Sequence, residues 1–172
     1  TQNSILGNKY YGLMLSQGTG NTISENISSG NGYSGIDIYN SSKNNVITSN
    51  DVDGNIIKGI YVFSSSVNNI LDQNTTSGNG DYGILVNDNC NNNILSSNVV
   101  SSTTSHSIGL LSSNNLRLLG NQSTSSGGNG LYLSGVTNIF SINDDYDSGW
   151  ITSSLSSVFM FGVDITSISN VV

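Results

Sequence analysis

Groups able to perform acid–base, metal or nucleophilic chemistry are few in this 172-residue chain. The basic side chains are Lys9, Lys43, Lys58 and Arg117, with one histidine, His106. Eleven carboxylates outweigh them, for a net charge of −7 and a pI near 4.1. Phosphate contacts need basic side chains, so this balance argues against nucleic-acid binding. It also disfavours a polyanionic substrate unless calcium or a local basic groove intervenes. The densest acidic run is Asp144, Asp145 and Asp147 in NDDYD. Alternate oxygen ligands in a turn could hold Ca²⁺, but the loop length and closing glutamate of an EF-hand are missing. An exposed acidic turn is the expectation, and no other cofactor is implied.

His106, in SSTTSHS, has no second histidine at ligand spacing. Cys90, alone in NDNCNNN, can form neither an intramolecular disulfide nor a cysteine-rich metal site. An intermolecular or reactive thiol is what remains open to it. Asp37 in GIDIY is expected at a solvated strand position. No catalytic residue is assigned from these groups.

The elements that carry these residues repeat. Asparagines close short apolar pairs at Asn8, Asn26, Asn50, Asn74, Asn98, Asn121 and Asn143, mostly 22–24 residues apart. A second marker, glycine before an apolar residue, recurs in step at Gly12, Gly35, Gly59, Gly83, Gly109 and Gly130. Between Gly83 and Gly109 the interval stretches to 26, which suggests a loop bulging at His106. Self-similarity at this period marks solenoids, propellers and arrays. Each unit holds short apolar–polar alternations bounded by Ser, Asn, Gly and Asp, which are strand and turn signals. Twenty-four residues are too few for a four-stranded propeller blade.

The spacing therefore predicts an all-β fold, a β-solenoid of about seven or eight coils with about 24 residues each. It forms one domain over 1–172, with regular coils to 143 and a divergent segment over 144–172. The expected inward columns are Ile5, Ile23, Ile47, Leu71, Leu95, Leu118 and Phe140 on one strand. On the next they are Leu13/Leu15, Ile36/Ile38, Ile60/Val62, Ile84/Val86, Leu110 and Leu131/Leu133. The asparagine amide both donates and accepts. Asn26, Asn50, Asn74, Asn98 and Asn121 are thus expected to form a structural ladder through successive corners, with Asn31, Asn55 and Asn79 marking a second corner.

The unit N-x-I-x-x-N, then S-G-N-G, then G-I-x-[IV], resembles the right-handed parallel β-helix repeats. These recur in NosD-type periplasmic proteins, carbohydrate-active β-helices and prokaryotic surface proteins, and the resemblance covers roughly residues 1–143. It implies a single-stranded right-handed parallel β-helix. Many functions share that coil, including lyases, hydrolases, epimerases, binding modules and structural rods. Asp37 resembles the aspartate of the epimerases' Tyr-Gly-x-Asp-Pro-His-Asp motif, but its proline and histidine are absent here. The companion motifs of polygalacturonase-type hydrolases are absent too, and scattered Met, His and Cys give no basis for NosD-type copper handling.

The remaining signal is on the outside. Met14, Asp37, Tyr61, Leu85, Leu111 and Tyr132 are expected outward on the second strand, followed by Tyr39 and Phe63. The first strand adds Val46, Ile70, Ile94 and Ile139. Apolar stripes of this extent mark contact surfaces, and Trp150, Phe159 and Phe161 extend the set near the C-terminal end. The chain enters its first coil without an amphipathic cap helix, and its last segment is apolar. Together these predict an extracellular, cell-surface structural protein that assembles with itself into a filament or surface layer. The alternative is a carbohydrate-binding or carbohydrate-active domain that uses Tyr39, Tyr61 and Tyr132, with cell-surface polysaccharide as partner. No membrane insertion is expected. Of the four N-x-[ST] sequons, Asn40 alone is expected in an exposed turn open to glycosylation.

Overall fold

A computed structural model describes residues 1–101, 103–124, 126–146, 150–153, 156–161 and 164–165. The corners of the regular coils share one two-residue device: a residue in left-handed conformation, then a residue whose side chain points into the corner. Glu25, Ser49, Gln73 and Ser97 have φ of 52–57°, and each precedes a ladder asparagine. At a second corner Asn44, Asn68 and Asn92 take this role ahead of Asn45, Asn69 and Asn93. At the third, Gly30, Gly54 and Gly78 precede Asn31, Asn55 and Asn79. Asparagine and glycine tolerate this conformation best, which accounts for the recurring Asn-Asn and Gly-Asn pairs.

Three corners leave three short strands per coil, and each strand stacks in parallel on its counterpart one coil away. Sheet 1 contains Ser4–Leu6, Ile27–Ser29, Asp51–Asp53, Thr75–Ser77, Val99–Ser101, Gln122–Thr124, Asp145–Tyr146 and Asp164–Ile165. Sheet 2 contains Leu13–Ser16, Ser34–Tyr39, Lys58–Val62, Tyr82–Val86, His106–Leu111, Leu131–Ser134 and Trp150–Ser153. Sheet 3 contains Thr22–Ser24, Val46–Thr48, Ile70–Asp72, Ile94–Ser96, Arg117–Leu119, Thr137–Ile142 and Ser156–Phe161. The described residues include no helix, so none is long and apolar enough to cross a membrane.

The core is the inside of these sheets. Ile23, Ile47, Leu71, Leu95 and Leu118 line sheet 3, and paired residues from Ile36/Ile38 to Leu131/Leu133 line sheet 2, nearly all fully buried. Burying each such side chain contributes about 1.5–3 kcal/mol. The glycine marker follows from how tightly sheets 1 and 2 meet. A Cβ on Gly35 would lie 2.3 Å from Val52 Cγ1, and one on Gly83 would lie 2.2 Å from Val100 Cγ1.

The first corner ladder runs from Asn3 through Asn26, Asn50, Asn74, Asn98 and Asn121 to Asp144. Each Oδ1 accepts both the backbone N–H and the Nδ2–H of the preceding rung, at 2.9–3.1 Å for Asn50 and Asn74. Asn8 instead begins a separate ladder through Asn31, Asn55 and Asn79. Asn143 is a left-handed turn residue with φ of 53°. Asn8 and Asn143, which share the spacing of the repeat, are therefore not rungs of the first ladder.

Three expected column assignments change, one of them because a one-residue slip inverts a strand. Ile5 faces inward in sheet 1, in register with Ser28, rather than in the Ile23 column. Counting back from Asp144 places Phe140 beside Arg117 on the outer face, while Ile139 and Ser141 turn inward. Ile108 pairs with Ile84, so Ser107 occupies the place of Gly83, and no residues are inserted near His106. Gly109, not Leu111, continues the outward column of Leu85.

Candidate functional site

The outer face of sheet 2 gathers aromatic rings together with Asp37, Lys58 and His106. Its central outward column reads Met14, Asp37, Tyr61, Leu85, Gly109 and Tyr132. A flanking column reads Ser34, Lys58, Tyr82 and His106, and on the other side Tyr39 follows Ser16. His106 thus begins a strand rather than sitting in a loop.

The rings pack against one another along the rod. Tyr39 and Phe63 stack at 5.2 Å between centroids, Phe63 and Tyr61 at 4.2 Å, with planes within 13° of parallel. Lys58 Nζ lies 4.8 Å from the Tyr61 ring centroid and 4.0 Å from Asp81 Oδ2. Two coils beyond Lys58, His106 stacks on Tyr132 at 4.6 Å and meets Tyr82 at 5.5 Å. At these separations the rings cover one another's faces, so edges and end faces stay open to a ligand. Gly109 makes room for this arrangement, because a Cβ there would fall 2.5 Å from Tyr82 Cε1. Towards the first coil, Tyr11 and Tyr33 stack at 5.4 Å, and Tyr10 lies 5.7 Å from Tyr33.

Burial controls the titration of this face. It pushes Asp37 up to about 6, opposed by a hydrogen bond from Ser34 and by the Lys58 charge. Asp37 is 1% exposed, so the expectation of a solvated strand position is corrected: neighbouring side chains cover it. Burial raises Tyr82 to about 12, aided by Asp81 and Tyr132, and also raises Tyr61. His106 is lowered by burial, with Asp81 acting the other way, and its Nδ1 accepts the Asn129 N–H. Neutral imidazole with the proton on Nε2 fits that bond.

Other candidates lie apart from this face. Asp144 is buried as the last described rung of the ladder, where its Oδ1 accepts from Asn121 and its Oδ2 from Ser141. Asp145 is half-buried at a different strand position, and Asp147 lies outside the described residues. The expectation of an exposed acidic turn is therefore corrected at Asp144, whose carboxyl is committed to the ladder. No group of three His, Cys, Asp or Glu among the described residues could hold a metal ion. Cys90 is buried within a ladder of Ser42, Ser66 and Ser113, and burial raises its thiol to about 12, which corrects the expectation of a reactive turn thiol. Asn40 is exposed, whereas the sequon residues Asn26, Asn74 and Asn121 are buried rungs.

Of the expected contact surface, Leu85 is buried beneath the rings, and Val46 and Ile94 are half-buried. Ile70, Phe159 and Phe161 are exposed on sheet 3, and the Trp150 side chain lies outside the described residues. Sequence reasoning passed over Tyr11, Tyr33 and Tyr82. Their signal was a tyrosine just before the glycine marker or one step earlier, at Gly12, Gly35 and Gly83.

Comparison with known proteins agrees with the architecture. The periplasmic alginate epimerase AlgG superposes with a TM-score of 0.79 at 20% identity, over 90% of this chain and 47% of that one. The AlgE6 A-module, a mannuronan C-5 epimerase of Azotobacter vinelandii, gives 0.71 at 16% identity, over 96% of this chain and 57% of that one. The AlgE4 A-module of the same organism gives 0.67 at 14% identity, over 94% and 55%. The chain spans about half the length of these structures. No curated protein sequence matches it. The family model described as the right-handed β-helix region matches residues 1–146, and the chain belongs to that family.

Proposed function

We propose that this protein is a carbohydrate-binding β-helix whose saccharide contact is the outer face of sheet 2. The observation that carries the reading is the run of rings from Tyr39 to Tyr132, interleaved with Lys58, Asp37 and His106. Aromatic surface with a few placed polar groups suits sugars, which present both C–H and hydroxyl groups. A saccharide chain lying along the axis would meet a new coil every ~4.8 Å. The likeness to epimerases named for alginate and mannuronan supports the reading, and AlgG's periplasmic setting supports an extracytoplasmic location. A glycan array tests it: the wild type is expected to give hits that Tyr61→Ala and Tyr132→Ala weaken. A blank array for folded wild-type protein overturns it.

A second reading concerns sheet 3, where Ile70, Phe159 and Phe161 are 37%, 57% and 65% exposed. Such a stripe suits contact with another copy of the chain. Sedimentation across a wide concentration range is expected to show association, and a strictly monomeric protein removes this reading.

A further inference from the structure

Asp37 breaks the pattern of its own column. Its axial neighbours are Met14 and Tyr61, followed by Leu85, Gly109 and Tyr132, all uncharged. Its Oδ1 is buried and has no hydrogen-bond partner. A group left in that state costs free energy and needs a reason, and local rules are broken most often at functional sites. Ser34 and Lys58 are the groups that favour its ionised form, Tyr61 stands beside it in register on the next coil, and its charge bears on Tyr11 and Tyr61. Tyr33 and Tyr39 in turn are coupled to Tyr11.

The cover on the first-coil side comes from exposed side chains. Met14, paired with Asp37 across the sheet, is 46% exposed, and Tyr11 is 36% exposed. Methionine adapts its shape readily, so a ligand could reach the carboxyl through side-chain rotation alone. The lining selects among sugars. A uronate would set a second carboxylate beside Asp37, with Lys58 alone to offset two negative charges. A hydroxyl would instead donate to the free oxygen, while the C–H groups of the sugar meet the tyrosine rings.

We propose that Asp37 is the hydrogen-bonding floor of a subsite for an uncharged saccharide, walled by Tyr11, Tyr39 and Tyr61. This rests on the reading of sheet 2 as the saccharide face. In the bound state the carboxylate form accepts more strongly than the acid, so binding near pH 6 releases part of a proton.

Calorimetry tests this with cellohexaose, xylohexaose and mannohexaose as neutral probes and with hexamannuronate and hexagalacturonate as acidic ones. At pH 6, paired buffers of different ionisation enthalpy report the proton count. At least one neutral hexaose is expected to bind about tenfold more tightly than either uronate, with proton release. Asp37→Asn is expected to abolish the proton release, and Asp37→Leu to weaken neutral binding about tenfold. Thermal melts verify that both variants fold. Uronates bound as tightly as neutral probes, or neutral binding unchanged in Asp37→Leu, would overturn the inference and leave the saccharide face standing. Absence of binding by all five probes overturns both.

Discussion

The corner ladders and the outer face of sheet 2 are built alike, with side chains stacked in register about every 24 residues. They differ in how they treat polar atoms. In the ladder, Asn50 accepts from Asn26 and donates to Asn74, Ile23 and Thr48, so a buried amide is fully engaged. On the ring face, Asp37 is as deeply buried and keeps one oxygen unpaired. Polar burial therefore stabilises the rod at its corners and opposes stability on the face. Substitutions at the two places should move stability in opposite directions.

The largest effect is expected at the ladder. Asn50→Ala strands the donors of Asn26 and the acceptor of Asn74, and should cost about 3–5 kcal/mol in urea denaturation. A loss below about 1 kcal/mol would remove the ladder's distinction from the face.

Asp37→Asn should act oppositely and with pH. The folded carboxyl titrates at about 6, above its ordinary 3.8. The folded state therefore binds the proton more tightly, and stability falls as pH rises from about 4 to 6. Above that range the deficit is constant, on the order of 3 kcal/mol. The asparagine variant should match wild type at pH 4 and melt higher at pH 8. Equal melting of the two proteins at pH 8 would contradict the burial of an ionised carboxylate.

Gly35→Ala tests the seam between sheets 1 and 2. The added methyl meets Val52, and a loss of about 1–3 kcal/mol in the same denaturation assay is expected. The smallest effect belongs to sheet 3. Ile70→Ser on its exposed stripe should change stability by about 0.5 kcal/mol or less and leave saccharide binding intact. A drop in binding there would shift the functional face from sheet 2 to sheet 3.

The period, the parallel solenoid and most ladder rungs were legible in sequence because each repeats a local requirement. Asn-Asn marks a corner since the first residue turns and the second pairs. Where the repeat drifts, a one-residue error was enough to exchange Ile139 with Phe140, and a two-residue error put Leu111 in the place of Gly109. Asp37 was not legible in this way. Its alternation placed it outward correctly, but its burial depends on side chains from adjacent coils, Met14 before it and Tyr61 after it. The same holds for His106, whose strand position follows from register with Tyr82 rather than from its own Ser/Thr-rich surroundings.

The ladder also has an electrical consequence. Every rung from Asn26 to Asn121 points its Oδ1 towards the earlier coil, and every Nδ2 from Asn3 to Asn121 donates to an Oδ1 of the later one. Aligned amides of this kind add their dipoles, as peptide units do in a helix. The sum is negative at the Asn3 end and positive at the Asn121 end. Asp144, which can accept but has no amide donor to pass on, places a carboxyl at the positive pole.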